Sequence, residues 1–107
     1  MKKKIAIVAG GDSSEVVVSL KSAAGLYSFI DKNRYDLYII TIRGNRWQLE
    51  MEGFEQVPVD KNDFSIVVDG HKINFDFAYI TIHSTPGENG ILQGYFELLG
   101  IPYSTCG

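Results

Sequence analysis

The chain has 107 residues, is 45% hydrophobic and 21% charged, and carries a net charge of −3. That is room for one small domain with one core, and it excludes a global pull toward nucleic acid or an anionic membrane surface. The basic run Lys2-Lys3-Lys4 is followed by a short apolar stretch that ends at Gly10 and Gly11. This falls short of the ~7–15 apolar residues of a secretory signal and the ~20 of a membrane helix. One cysteine, Cys106, makes no internal disulfide, and a reducing cytoplasm is the expected location.

Residues 5–9, all apolar and closed by two glycines, read as a buried strand. Val17, Leu20, Ala24 and Tyr27 then recur at helical spacing, with Ala23 and Ile30 on the same side, and predict a helix over 14–30. Residues 35–43, rich in Tyr, Ile and Thr, read as a second strand. The stretch 44–74 is less regular, with short antiparallel strands expected over 47–49, 54–59 and 65–68. Asp69-Gly70 is a tight-hairpin signal. Residues 75–82 form the next apolar strand. A loop over 83–88 leads into a helix that runs to Leu99. Gly100 stands where a helix C-terminal glycine belongs, and Pro102 prevents continuation. Residues 103–105 open a last strand. The sequence stops at Cys106-Gly107 in what reads as an unfinished strand-to-helix turn, so a fragment is expected.

This order predicts an α/β fold: a mainly parallel, Rossmann-like sheet with flanking helices and a small antiparallel meander. Ligands of such sheets collect at the carboxyl ends of the strands, in the loops that enter helices. Residues 10–15 and 83–90 are the two loops that qualify. If their strands are neighbours, both open onto one edge.

In Gly10-Gly11-Asp12-Ser13-Ser14-Glu15 the glycines free the backbone to turn off a strand and to admit a ligand closely. Neither a G-x-G-x-x-G fingerprint nor a phosphate loop is present. Glu15 repels phosphate and attracts an ammonium group, so the loop favours a zwitterion or a cation. Asp12-x-x-Glu15 also has the spacing of a capping box, and Ser13 or Ser14 can cap as well, so Glu15 reads as a cap or as a ligand. In the second loop Asn89 can cap the next helix, and Gly87 and Gly90 give backbone freedom. His83, at the end of a strand, either faces a ligand with a side chain that titrates near neutrality or holds the turn through a loop carbonyl. His71 lies on the hairpin and reads as exposed. The two histidines and Cys106 do not fall at metal-ligand spacings, and Cys106 has no local sign of activation.

Taken together the two loops resemble the D-alanine–D-alanine ligases. Residues 10–20 look like the family's G-G-x-S-x-E-x-x-V-S, residues 83–90 like its H-G-x-x-G-E-D-G, and residues 90–103 like its G-x-x-Q-G-x-x-E-x-x-G-x-P-Y. The family joins two D-alanines with ATP and Mg²⁺ to make a peptidoglycan precursor, on an ATP-grasp fold. The resemblance implies that this chain is the first lobe, residues 1–107, with the ATP-grasp domains outside it. The first D-alanine is phosphorylated on its carboxylate, and the amine of the second attacks the acyl phosphate. The resemblance gives Glu15 the ammonium of the first D-alanine and puts His83 beside the same amino acid, with Ser14 in the same substrate loop. Family members are commonly homodimers through this lobe. Val16 and Val17 stand where the family often has His and Glu, Ser84 where it has Gly, Asn89 where it has Asp, and Thr105 where Gly is common, departures that bear on substrate preference. Two rival readings are the lobe of another ATP-grasp carboxylate–amine ligase, of D-Ala–D-Lac or D-Ser type, and a non-enzymatic doubly wound ligand-binding module.

The segment carries no Mg²⁺ carboxylate set and no phosphate-gripping lysine placed to act. The isolated 107-residue chain is therefore expected to release no phosphate from ATP above background, measured by a coupled phosphate assay with D-alanine present. Turnover by the chain alone would overturn this expectation.

Overall fold

The computed structural model describes residues 2–11, 16–54, 57–82 and 90–105. Its main sheet has six strands: β1 (Lys3–Gly10), β2 (Tyr35–Arg43), β3 (Arg46–Leu49), β4 (Val57–Pro58), β7 (Phe77–Ile80) and β8 (Tyr103–Thr105). Their order across the sheet is β4-β3-β2-β1-β7-β8. β2, β1, β7 and β8 run parallel, and β3 and β4 add antiparallel at the β2 edge. A separate two-stranded sheet pairs β5 (Ser65–Val68) with β6 (His71–Asn74). The mainly parallel sheet with a small antiparallel excursion is the expected architecture. The meander divides its strands, with β3 and β4 joining the main sheet and the β5–β6 hairpin standing apart.

β1 is central, between β2 and β7, and this explains its unbroken apolar run. Alternate side chains face opposite layers. Ile5, Ile7 and Ala9 pack with Leu37 and Ala23 under helix α1 (Val16–Phe29). Ala6 and Val8 face the other way, with Ile40, Ile42, Ala78 and Ile80, under the hairpin and helix α2 (Ile91–Leu99). α2 contributes Leu92 and Phe96, both fully buried.

The rotation of α1 differs from the expected one. Leu20, Ala23, Tyr27 and Ile30 face the sheet as anticipated, joined by Leu26. Val17, placed on the buried face by periodicity, is 60% exposed, and Ala24 is exposed too, whereas Ser19 is 1% exposed. The cause is that Val17 and Val18 make this stretch apolar on more than one side, so periodicity alone leaves the rotation open. Ser19 is the residue that turns inward, and it is hydrogen-bonded there.

Local turn chemistry behaves as read. Asp69 and Gly70 both have positive φ, 52° and 78°, the primed hairpin turn that Asp-Gly favours. Gly100 takes φ 72° and its amide bonds the Glu97 and Phe96 carbonyls, with Ile101 N–H also donating to Phe96, which ends α2 with a left-handed cap. α2 starts differently from the expectation of an Asn89 cap. Its N-cap is Gly90, in the left-handed region at φ 86° and without a side-chain cap bond. Asn89 lies outside the described residues.

The core beneath the hairpin is aromatic. Phe64 is fully buried and lies within 4.8–6.2 Å, centroid to centroid, of Phe96, Phe75, Tyr95 and Trp47. It holds φ at +54°, a conformation that costs a bulky residue ~1–3 kcal/mol. Ring burial offsets that strain. The Tyr95 hydroxyl donates to the Lys61 carbonyl at 2.6 Å. Burial, then the nearby Asp63 and Asp60 carboxylates, push its pKa up to about 12, while a backbone hydrogen bond from Phe64 opposes them.

Two outcomes follow. Phe64→Ala should cost ~3–5 kcal/mol in a urea melt, and Phe64→Gly should cost no more than Phe64→Ala, because glycine relieves the positive φ. The usual penalty for glycine relative to alanine would count against strain at this residue. Tyr95 is neutral when folded over a pH range where the unfolded phenol, with its ordinary value of 10.0, ionises. Its contribution to stability is thus complete below pH 10 and is lost as pH rises toward 12. Tyr95→Phe should flatten the fall in stability over that window relative to the parent, read by urea midpoints at stepped pH.

Candidate substrate-side corners

The two motif-bearing loops leave adjacent strands. Ile5, Ala6, Ile7 and Val8 of β1 pair in parallel with Phe77, Ala78, Tyr79 and Ile80 of β7. The pairing continues one residue further, with Thr81 N–H donating to the Val8 carbonyl at 2.9 Å. Parallel neighbours end on the same side, so the corners after Gly10 and after Ile82 open onto one edge of the sheet. This meets the condition on which a shared site depended.

Of the anticipated site residues, Gly10, Gly11 and Gly90 are described, and all three have positive φ: 113°, 117° and 86°. Glu15, Ser14, His83 and Gly87 lie outside the described residues, as does Asp12. Val16, next after Glu15, is the first residue of α1, and Ile82, next before His83, is 5% exposed.

Gly10 has a reason beyond a sharp turn. A Cβ there would collide with the Ile42 backbone, above all its carbonyl oxygen. The same carbonyl accepts the Gly11 N–H at 2.7 Å. The close approach that demands glycine is thus to β2, whose end supports the first corner.

A chain of hydroxyls lies beneath both corners. Gly10 N–H donates to Ser19 Oγ at 3.0 Å. Ser19 Oγ lies 3.0 Å from Thr81 Oγ1, which donates to the Val8 carbonyl at 2.8 Å. The Ser19 carbonyl is a second, longer acceptor for Thr81 at 3.2 Å. Each hydroxyl has one hydrogen. The arrangement that uses each once runs from Gly10 N–H through Ser19 and Thr81 to Val8. Thr81 is fully buried and Ser19 nearly so. Removing either partner would strand a buried polar group, at ~1–3 kcal/mol.

Ser19 falls within the opening motif at residues 10–20 and Thr81 near the end of an apolar run, and neither is marked by the motifs as a site residue. The available signal was a small hydroxyl residue near the carboxyl end of an otherwise apolar strand. Such a group must find a partner once buried.

One apolar hollow lies away from these corners. A cavity of about 470 Å³ lined by Lys3, Ile5, Tyr35, Phe77 and Pro102, among others, lies toward the amino ends of the strands, away from both loops. Among the described residues there is no cluster of three or more His, Cys, Asp or Glu side chains that could hold a metal ion.

Comparison with known proteins agrees with the motifs. The family described as "D-ala D-ala ligase N-terminus" matches residues 4–106. A D-alanine–D-alanine ligase of Phocaeicola vulgatus is 68% identical over 106 residues, 99% of this chain and 33% of that protein. One from Bacteroides fragilis is 61% identical over 107 residues, covering 100% of this chain and 33% of the relative. The chain thus spans about one third of the length of these curated relatives. Among solved structures, D-alanyl-alanine synthetase A of Vibrio cholerae superposes with a TM-score of 0.81 at 32% identity, over 99% of this chain and 32% of the other. VanG D-Ala:D-Ser ligase of Enterococcus faecalis also gives 0.81, at 30% identity over 96% of this chain and 35% of its own. The chain belongs to the D-alanine–D-alanine ligase family, matching its N-terminal domain.

Proposed function

We propose that this chain is the substrate-side lobe of an ATP-dependent ligase that joins two D-alanines for peptidoglycan synthesis in the cytoplasm. The rest of the protein would supply the ATP-grasp domains, and two copies would pair through this lobe. The observation that carries the reading is the adjacency of β1 and β7, which turns both motif-bearing corners toward one edge. Support for further domains comes from the relatives, of which this chain matches about a third. Among the described residues no helix is long and apolar enough to cross a membrane.

In this reading Glu15 takes the ammonium of the first D-alanine, with Ser14 in the same loop and His83 beside the amino acid. A carboxylate–ammonium pair sets the orientation of a molecule too small for many other contacts. Orientation matters because attack on an acyl phosphate gains most of its rate from alignment and exclusion of water. Mg²⁺ and the phosphate-binding groups would come from the other domains and supply the charge stabilisation. The lobe is equally similar in fold to a D-alanine ligase and a D-Ala:D-Ser ligase, so choice of the second substrate is assigned to the remainder of the protein.

The test is Glu15→Gln in the full-length protein. A capping box accepts Glu or Gln, so glutamine would preserve any cap at this position and the fold should persist while the charge is lost. A fall of about 100-fold or more in kcat/KM for the first D-alanine is expected, the scale of a broken buried charge pair. Unchanged kinetics would reduce Glu15 to a helix cap.

A further inference from the structure

Burial at three successive residues near the start of α1 runs against their polarity. Val17 and Val18 are 60% and 53% exposed, while the neighbouring Ser19 is 1% exposed. Apolar burial is non-directional, and Val17 and Val18 do not supply it here. The helix instead presents a hydroxyl to the carboxyl ends of two strands and satisfies it there on both sides, with Gly10 of β1 and Thr81 after β7. We infer that Ser19 and Thr81 are positioning residues for the first amino-acid site. Their hydroxyl chain fixes the rotation of α1 against β1 and β7, and so sets the corner that carries Glu15 against the corner that carries His83.

The sequence distances are short enough for such control. Glu15 precedes Ser19 by four residues in the sequence, and His83 follows Thr81 by two. Each helix residue turns ~100° about the axis, so a modest loss of rotational definition at Ser19 displaces whatever the start of α1 carries. Misplacing a binding group by about 1 Å is enough to weaken a small ligand strongly. The role is one of geometry, since neither hydroxyl is assigned contact with the substrate. The inference rests on the ligase reading above.

The experiment uses the full-length protein. Initial rates are fitted to sequential binding of two D-alanines, with the KM for ATP measured separately. Thr81→Val keeps shape and removes the hydroxyl. It should raise the KM for the first D-alanine about tenfold, the scale of one stranded buried hydrogen bond, and leave the KM values for ATP and for the second D-alanine within about twofold. Thr81→Ser, which restores the hydroxyl, should return the first KM to near the parent's. Phe75→Leu, in the core on the opposite side of the sheet from α1, serves as the stability control: it should lower Tm without moving any KM. If Thr81→Val does not fold, Ser19→Ala carries the same expectation. A uniform change in all parameters, no change, or failure of Thr81→Ser to restore the first KM would overturn the positioning role while leaving the ligase reading intact. A parent protein that does not ligate D-alanine would overturn both.

Discussion

The parallel ladder between β1 and β7 is the constraint on which the arrangement depends. It joins residues about seventy positions apart, Ile5 to Phe77 and Val8 to Ile80, so closing it carries an entropy cost that local contacts do not repay. Burial on both faces repays it. Ile7, Ala6, Val8 and Ala9 are fully buried, as is Ala78, and Ile80 is nearly so. Were β7 paired elsewhere, the corner after Ile82 would open far from the corner after Gly10. A small zwitterion could not then meet both, so the proposed function depends on this pairing.

The hydroxyl chain refines what the ladder begins. A ladder sets which corners are neighbours, but the helix entered from the first corner retains a rotation and a small translation. Apolar side chains constrain these poorly when more than one face of the helix is apolar, as at Val17 and Val18. A buried hydroxyl has a narrow set of acceptable geometries and is costly to leave unpaired. Ser19 therefore converts an approximate docking into a defined one.

This also explains what could be read from the chain beforehand. β1, the Asp69-Gly70 turn and the Gly100 cap were legible because each is written in the chemistry of a few consecutive residues. The buried face of α1 was only partly legible. Val17 fits the apolar period yet faces outward, because the deciding contacts lie with Gly10 and Thr81, remote in sequence. The detachment of β5–β6 from the main sheet was not legible for a similar reason, since no local pattern encodes which strands share a sheet. At the corners, the sequence marks Gly10 as a turn glycine, but its tightest constraint, the Ile42 carbonyl, is long-range. Glu15 and His83 drew attention by charge and position. Only the resemblance between motifs gave them a substrate.

The neutrality of the hydroxyl chain suits what the corners are proposed to do. An ion pair tying α1 to β7 would also have fixed the rotation, but it would add a permanent charge beside the proposed Glu15–ammonium contact and compete with it. The ion pairs found among the described residues lie elsewhere: Lys2 with Asp36 near the amino ends of β1 and β2, and Lys72 with Asp63 at the hairpin. At the edge where both corners open, the described support consists of backbone amides, carbonyls and two hydroxyls. Such groups hold geometry without net charge.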